Sequence, residues 1–170
     1  MKKLTVSFNE NLTNDNKTLA NRSFFWVRLQ ASNKNPIHMP ASVKHILIAE
    51  DDSDDIDFFK EAVRDNCPAV EITVAEDGKK LLSVLDSIDT PDVIVLDLNM
   101  PYVNGKDCII AIRRNEKFKE VPIVVYSTSS NQYEIEYCLT NGANHYVIKP
   151  GTYSAISQLV HKLCNGTLAA

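Results

Sequence analysis

Residues 49–57 read Ala-Glu-Asp-Asp-Ser-Asp-Asp-Ile-Asp, six carboxylates in nine positions. Charges so crowded repel one another unless a cation or a helix N-terminus offsets them. Three further stretches carry groups able to complete a site. Asp97 lies in VIVLDLNMP (93–101), Ser127 and Thr128 close VVYSTS (124–129), and Lys149 precedes Pro150 in GANHYVIKP (142–150). Ligands that are all oxygen select a hard ion, Mg²⁺ or Ca²⁺. Mg²⁺ keeps several waters and typically takes one or two carboxylates together with a phosphate oxygen. A lysine and a serine opposite them suit the remaining phosphoryl oxygens. The implied chemistry is phosphoryl transfer, with aspartate as a covalent acceptor.

Elements of fixed geometry must bring these groups together. Five short apolar runs rich in Val and Ile, at 43–50, 70–75, 92–98, 121–127 and 145–149, suit strands covered on both faces. Between them, helical periodicity spans 54–66, 78–88, 105–114, 130–140 and 152–164. Strands alternating with helices predict an α/β fold, a doubly wound five-stranded parallel sheet flanked by five helices. Ligands bind such sheets beyond the carboxyl ends of the strands. Glu50 and Asp51 end the first strand, Asp97 the third, Ser127 the fourth and Lys149 the fifth. The acidic run thus divides. Glu50 and Asp51 serve the site, Ser53 caps the first helix, and Asp54, Asp55 and Asp57 complement its dipole. Asp52 reaches the metal through a water or faces solvent.

Composition narrows the function further. The chain has 170 residues, 44% hydrophobic and 24% charged, within the range of one globular domain plus an appendage. Its net charge is −4, yet residues 1–38 alone carry six basic and two acidic side chains. The acidic remainder excludes a general binder of nucleic-acid backbones. No apolar run reaches the ~20 residues of a membrane span. Cys67, Cys108, Cys138 and Cys164 are scattered, without metal-binding or disulfide spacing, and are expected as reduced thiols of a cytoplasmic protein. Seven asparagines and no sustained period mark residues 1–40 as a polar, mobile extension, whose one apolar island is FFWVRL (24–29). Residues 41–166 form the domain and 167–170 a short tail.

Taken together, AEDD, VIVLDLNMP with Asn104 and Gly105, VVYSTS and GANHYVIKP resemble the response-regulator receiver domains of two-component signalling, over residues 43–165. The resemblance implies that Asp97 accepts a phosphoryl group from a phosphohistidine of a histidine kinase or phosphotransfer protein. It implies Mg²⁺, or Mn²⁺ in its place, held by Glu50, Asp51, Asp97 and the backbone carbonyl of Asn99. It implies that Lys149 and Ser127 bind the phosphoryl group, that Tyr146 swings inward, and that the Lys149–Pro150 peptide is cis. Asn99, Thr128 and Ser129 stand where access and dephosphorylation are tuned, and Thr128 is bulkier than the alanine frequent there. Such a domain is no enzyme in the ordinary sense, although it assists its own phosphorylation and dephosphorylation. A target protein would dock on the face of the fourth helix, fifth strand and fifth helix, and a homodimer is allowed. With only NGTLAA beyond Cys164, a single-domain regulator is expected, acting by protein contact or phosphorelay. The alternatives are a receiver-like binding module without phosphorylation and an Mg²⁺-dependent phosphatase with an aspartate nucleophile. The second would need a D-x-D motif with Gly or Thr at the first strand, where the chain has DDSDD.

Overall fold

Strand residues alternate between two faces, so a run that is apolar throughout needs a cover on each side. The computed structural model describes residues 4–8, 25–29 and 39–168. In chain order these form β1 (Leu4–Phe8), β2 (Phe25–Leu29), β3 (His45–Ala49), α1 (Ser53–Asn66), β4 (Glu71–Ala75), α2 (Gly78–Leu85), β5 (Val93–Leu96), α3 (Gly105–Arg114), β6 (Ile123–Ser127), α4 (Gln132–Thr140), β7 (His145–Ile148) and α5 (Tyr153–Cys164). The sheet order is β1-β2-β7-β6-β5-β3-β4. The strands from β7 to β4 are parallel, giving the expected five-stranded core. The chain leaves β3 for β4 on one side and returns to β5 on the other, so the switch point lies between β3 and β5.

Each face has its own core. Ile46 and Ile48 of β3 join Val93, Val95, Val124, Tyr126 and Val147 under α1 and α5, meeting Phe59, Val63, Leu159 and Val160. Their neighbours Leu47 and Ala49 join Ile94, Leu96, Ile123 and Val125 under α2, α3 and α4, meeting Leu81, Ile109, Ile112 and Ile135. Met39 and Leu168, near the two ends of the domain, are buried in the first of these cores. Gly166 allows this return, because its φ is +63° and a Cβ there would lie 2.1 Å from the Pro40 carbonyl oxygen.

Two features depart from the sequence reading. First, residues 4–8 and 25–29 are strands, with β2 antiparallel to β7 and β1 antiparallel to β2. Phe25, Trp26 and Val27 are strong strand formers, and the edge of β7 offers them unpaired backbone groups. Residues 1–3, 9–24 and 30–38 of the expected mobile extension lie outside the described residues. Second, Cys67 and Cys164 are joined as a disulfide, with Cα atoms 6.6 Å apart. The pair is 97 residues apart in sequence but meets because α1 and α5 end side by side. Cys108 and Cys138 are free and buried.

Two local devices set the strand ends. Arg113 of α3 donates to the carbonyl oxygens of Gly142, Lys119 and Val121 and to Asn144 Oδ1. Asn144 Oδ1 also accepts from the Ile123 N–H at 2.8 Å. This fixes the starts of β6 and β7. At the opposite end, Gly105 lets α3 approach the chain after β5. Its N–H donates to Leu98 O at 3.0 Å, and a Cβ would lie 2.2 Å from Asp97 O. Gly105→Ala is therefore expected to destabilise the fold by about 1–3 kcal/mol despite alanine's better helix propensity. Denaturant unfolding checks this, and an unchanged midpoint would contradict it.

Candidate functional site

Strand pairing places the acidic groups. The Asp97 N–H donates to Ala49 O at 2.9 Å and the Glu50 N–H to Ala75 O at 3.0 Å, so both residues extend the ladder at the switch point. Asp97 and Glu50 are buried and Asp51 is exposed. One carboxylate oxygen from each of the three lies within 4.8 Å of the others. Burial, opposed mainly by Lys149, raises the pKa of Glu50 to about 7. A buried carboxylate held that high is one that an added cation would return to its charged form. The donor set is oxygen alone and fits a hard divalent cation. The Asn99 N–H donates to Asp97 Oδ2 at 2.6 Å, turning the loop after β5 around the carboxylate.

Lys149 enters from the end of β7, where its N–H donates to Ser127 O at 2.9 Å. Its Nζ lies 2.7 Å from Glu50 Oε2, 2.7 Å from Asp55 Oδ2 and 3.5 Å from Asp97 Oδ1. The Glu50 contact is an ion pair rather than a well-directed hydrogen bond. The ammonium also lies 5.5 Å from the centre of the Tyr126 ring, which packs edgewise on Phe59 of α1. Burial alone would lower the pKa of Lys149. The hydrogen bond to Asp55, the close Glu50 carboxylate and the charge of Asp97 outweigh it and leave the pKa raised.

Asp55 is the residue that sequence reasoning missed. Its place in the first turn of α1 accounts only for a dipole contact, but it reaches Lys149, 94 residues away. Nothing local signals such a pairing. The cap also differs. Asp52, not Ser53, caps α1, accepting from the N–H groups of Asp54 at 2.9 Å and Asp55 at 3.3 Å. Both are good capping residues, and adjacent carboxylate and hydroxyl leave a one-residue ambiguity. Asp52 Oδ1 is engaged by the cap, and the Asp52 N–H donates to Glu50 Oε1 at 3.3 Å. The Lys149–Pro150 peptide is trans, against the expected cis bond. The trans form is the intrinsic preference by roughly 0.5–1 kcal/mol, and the following Gly151 lies in open space.

Ser127 is fully buried at the end of β6, with its Oγ accepting weakly from the Ser129 N–H at 3.3 Å. Tyr146 lies inward and buried, and its hydroxyl donates to Ser129 O at 2.9 Å. Burial raises its pKa. Ser129 Oγ in turn donates to Glu134 of α4, which pairs with Lys106 of α3. The hydrogen bond from Lys106 is the main cause that lowers the Glu134 pKa. Thr128 and Asn99 are exposed beside the site. Carboxylates, hydroxyl and ammonium thus stand at one edge of the sheet.

A family model described as the response regulator receiver domain matches residues 46–161. The chain is similar to "Chemotaxis protein CheY1" of Helicobacter pylori, 32% identical over 88 residues, covering 52% of this chain and 71% of the relative. It is also similar to "Two-component response regulator ORR3" of Oryza sativa, 27% identical over 125 residues, 74% of this chain and 94% of the relative. Among solved structures, the phosphorylated cyanobacterial phytochrome response regulator RcpA superposes with a TM-score of 0.69 at 28% identity, over 75% of this chain and 96% of that one. The Mn²⁺-bound form of response regulator Rcp1 gives a TM-score of 0.65 at 25% identity, over 71% and 91%.

The division of the acidic run can be measured. Loss of even an outer-shell partner costs about 10–100-fold in metal affinity. Asp51→Asn is expected to weaken Mn²⁺ binding by at least that range in calorimetric titration, and Asp54→Asn to leave it unchanged. Equal losses would contradict the division.

Proposed function

Since the chain belongs to the response regulator receiver domain family, we propose that Asp97 is its phosphoacceptor. The donor is a phosphohistidine of a histidine kinase or phosphotransfer protein. A carboxylate oxygen of Asp97 attacks phosphorus, the O–P bond forms as the N–P bond breaks, and the imidazole leaves. The reading rests on one observation: Asp97 and Glu50, both buried, meet Asp51 and the Lys149 ammonium at the switch point. Glu50, Asp51, Asp97 and the Asn99 carbonyl would hold Mg²⁺ or Mn²⁺. When bound, that ion supplies positive charge to the phosphoryl oxygens.

The chain's own groups do the rest. Lys149 is already charged and lies 3.5 Å from Asp97 Oδ1, ready to pair with a phosphoryl oxygen. Asp55 and Glu50 hold it there beforehand, so little reorganisation is needed as charge develops. Ser127 gives the phosphoryl group a hydroxyl partner by turning from Ser129. Thr128 and Asn99 control the approach of water, and Ser129 does so through the turn it anchors. Tyr146 reports the change, because its hydroxyl is bound to the same turn that Ser127 would leave.

The output is contact with a target protein, or relay to a phosphotransfer histidine, in the cytoplasm. The target docks near α4, where Tyr133 is 85% and Tyr137 41% exposed. The edge of β7 within that face is taken by β2, which leaves the α4 and α5 sides for a partner or a second copy.

The full chain, incubated with Mg²⁺ and acetyl phosphate, is expected to gain the mass of one phosphoryl group. Asp97→Asn should abolish the gain. Lys149→Ala should slow it by about 10²-fold or more, the range for removing one group that stabilises developing charge. Addition that survives Asp97→Asn would overturn the assignment.

A further inference from the structure

We propose that Cys67 and Cys164 form a redox-reversible pair that fastens the end of α1 to the end of α5. A small disulfide such as glutathione disulfide is the oxidant, and glutathione the reductant. The observations are the bond itself, the unequal burial of its two cysteines, and the contacts between α1 and α5 that do not involve it.

Cys67 lies in the turn after α1 and is only partly buried, whereas Cys164 is 7% exposed. A thiol reagent therefore reaches the pair through Cys67. The free cysteines behave differently. Cys108 and Cys138 are fully buried, and burial raises their pKa to about 11, which leaves almost no thiolate. Selective chemistry at one pair is thus built into the fold.

Contacts other than the bond hold both cysteines in place. The Cys67 N–H donates to Val63 O at 2.8 Å, and Cys164 O accepts from the Val43 N–H at 3.0 Å. Nearby, Asn66 Nδ2 donates to Ser157 Oγ at 2.9 Å and the Tyr153 hydroxyl donates to Asp65. Phe59 and Val63 still share a core with Leu159 and Val160. Two thiols held side by side reclose as an effectively unimolecular step. The domain buries a core on each face, so the reduced form is expected to stay folded.

The exchange balances. The Cys67 thiolate attacks glutathione disulfide, forming a mixed disulfide and releasing one glutathione thiolate. The Cys164 thiolate then attacks the Cys67 sulfur and releases the second. Two protein thiols are oxidised and one glutathione disulfide is reduced to two glutathiones. The coupling to the rest of the molecule runs along the same two helices. Asp55 of α1 holds Lys149, and Lys149 leads into α5.

The test equilibrates the folded full chain in glutathione buffers from reducing to oxidising. Free thiols are trapped with iodoacetamide and assigned by peptide mass. The expected result is joint conversion of Cys67 and Cys164 in a single two-electron transition, with Cys108 and Cys138 unlabelled until the chain is denatured. Amide exchange near 63–67 and 161–165 should quicken severalfold in the reduced form, with circular dichroism unchanged. Cys67→Ser should remove the transition and exchange like the reduced form. A bond that stays closed in the most reducing buffer, never closes in the most oxidising one, or opens only with unfolding overturns the proposal.

Discussion

One ammonium makes the carboxyl edge of the sheet possible. Unit charges ~4 Å apart interact by about 4 kcal/mol at an effective dielectric near 20, so three gathered acids are unstable without an opposing charge. Lys149 stands among Glu50, Asp55 and Asp97 and supplies it. It comes from β7, whereas the acids come from β3, α1 and β5, so its placement requires the strand order as a whole. The ring of Tyr126 lies 5.5 Å from the ammonium and adds a cation–π contact. The acids and the lysine define each other's positions before any ligand arrives.

Around this edge, backbone groups close on one another. Gly105 brings α3 onto the carbonyl of Asp97, and the Asn99 N–H turns back to its side chain. On the other side, the turn after β6 is shared between Ser127, Ser129, Tyr146 and Glu134. Two hydrogen bonds, at the Ser129 N–H and the Ser129 hydroxyl, thus connect the Ser127 hydroxyl to Glu134 of α4. The structure holds Tyr146 inward already, so in this arrangement the tyrosine sits in the position that the sequence resemblance assigns to the switched state.

Most of the frame was legible in the sequence because it rests on periodicity. Runs covered on both faces must be apolar throughout, and the five parallel strands fall inside the predicted runs. The meeting of Asp97, Glu50, Asp51 and Lys149 was legible because strand ends in such a sheet face one edge. What was not legible depends on contacts across long separations. Asp55 meets Lys149 and Cys67 meets Cys164 only after folding. The capping residue was missed by one position, since Asp52 and Ser53 are both favoured at a helix N-cap. The trans Lys149–Pro150 bond reflects local geometry that no residue pattern dictates. β2 was obscured by the polar residues around a short run with strong strand propensity.

Arg113 gives the sheet a property that its surface ion pairs lack. Its guanidinium is held by carbonyl and amide oxygens rather than by a carboxylate, and burial lowers its pKa to about 10. Exposed pairs such as Lys80–Glu76 and Lys119–Glu116 weaken as mobile ions screen them. A half-buried cation bound by dipoles at hydrogen-bond distance offers mobile ions little to compete for. The junction where β6 and β7 begin is therefore nearly indifferent to ionic strength. Ser127 and Lys149, at the far ends of those strands, keep their alignment when the electrolyte changes.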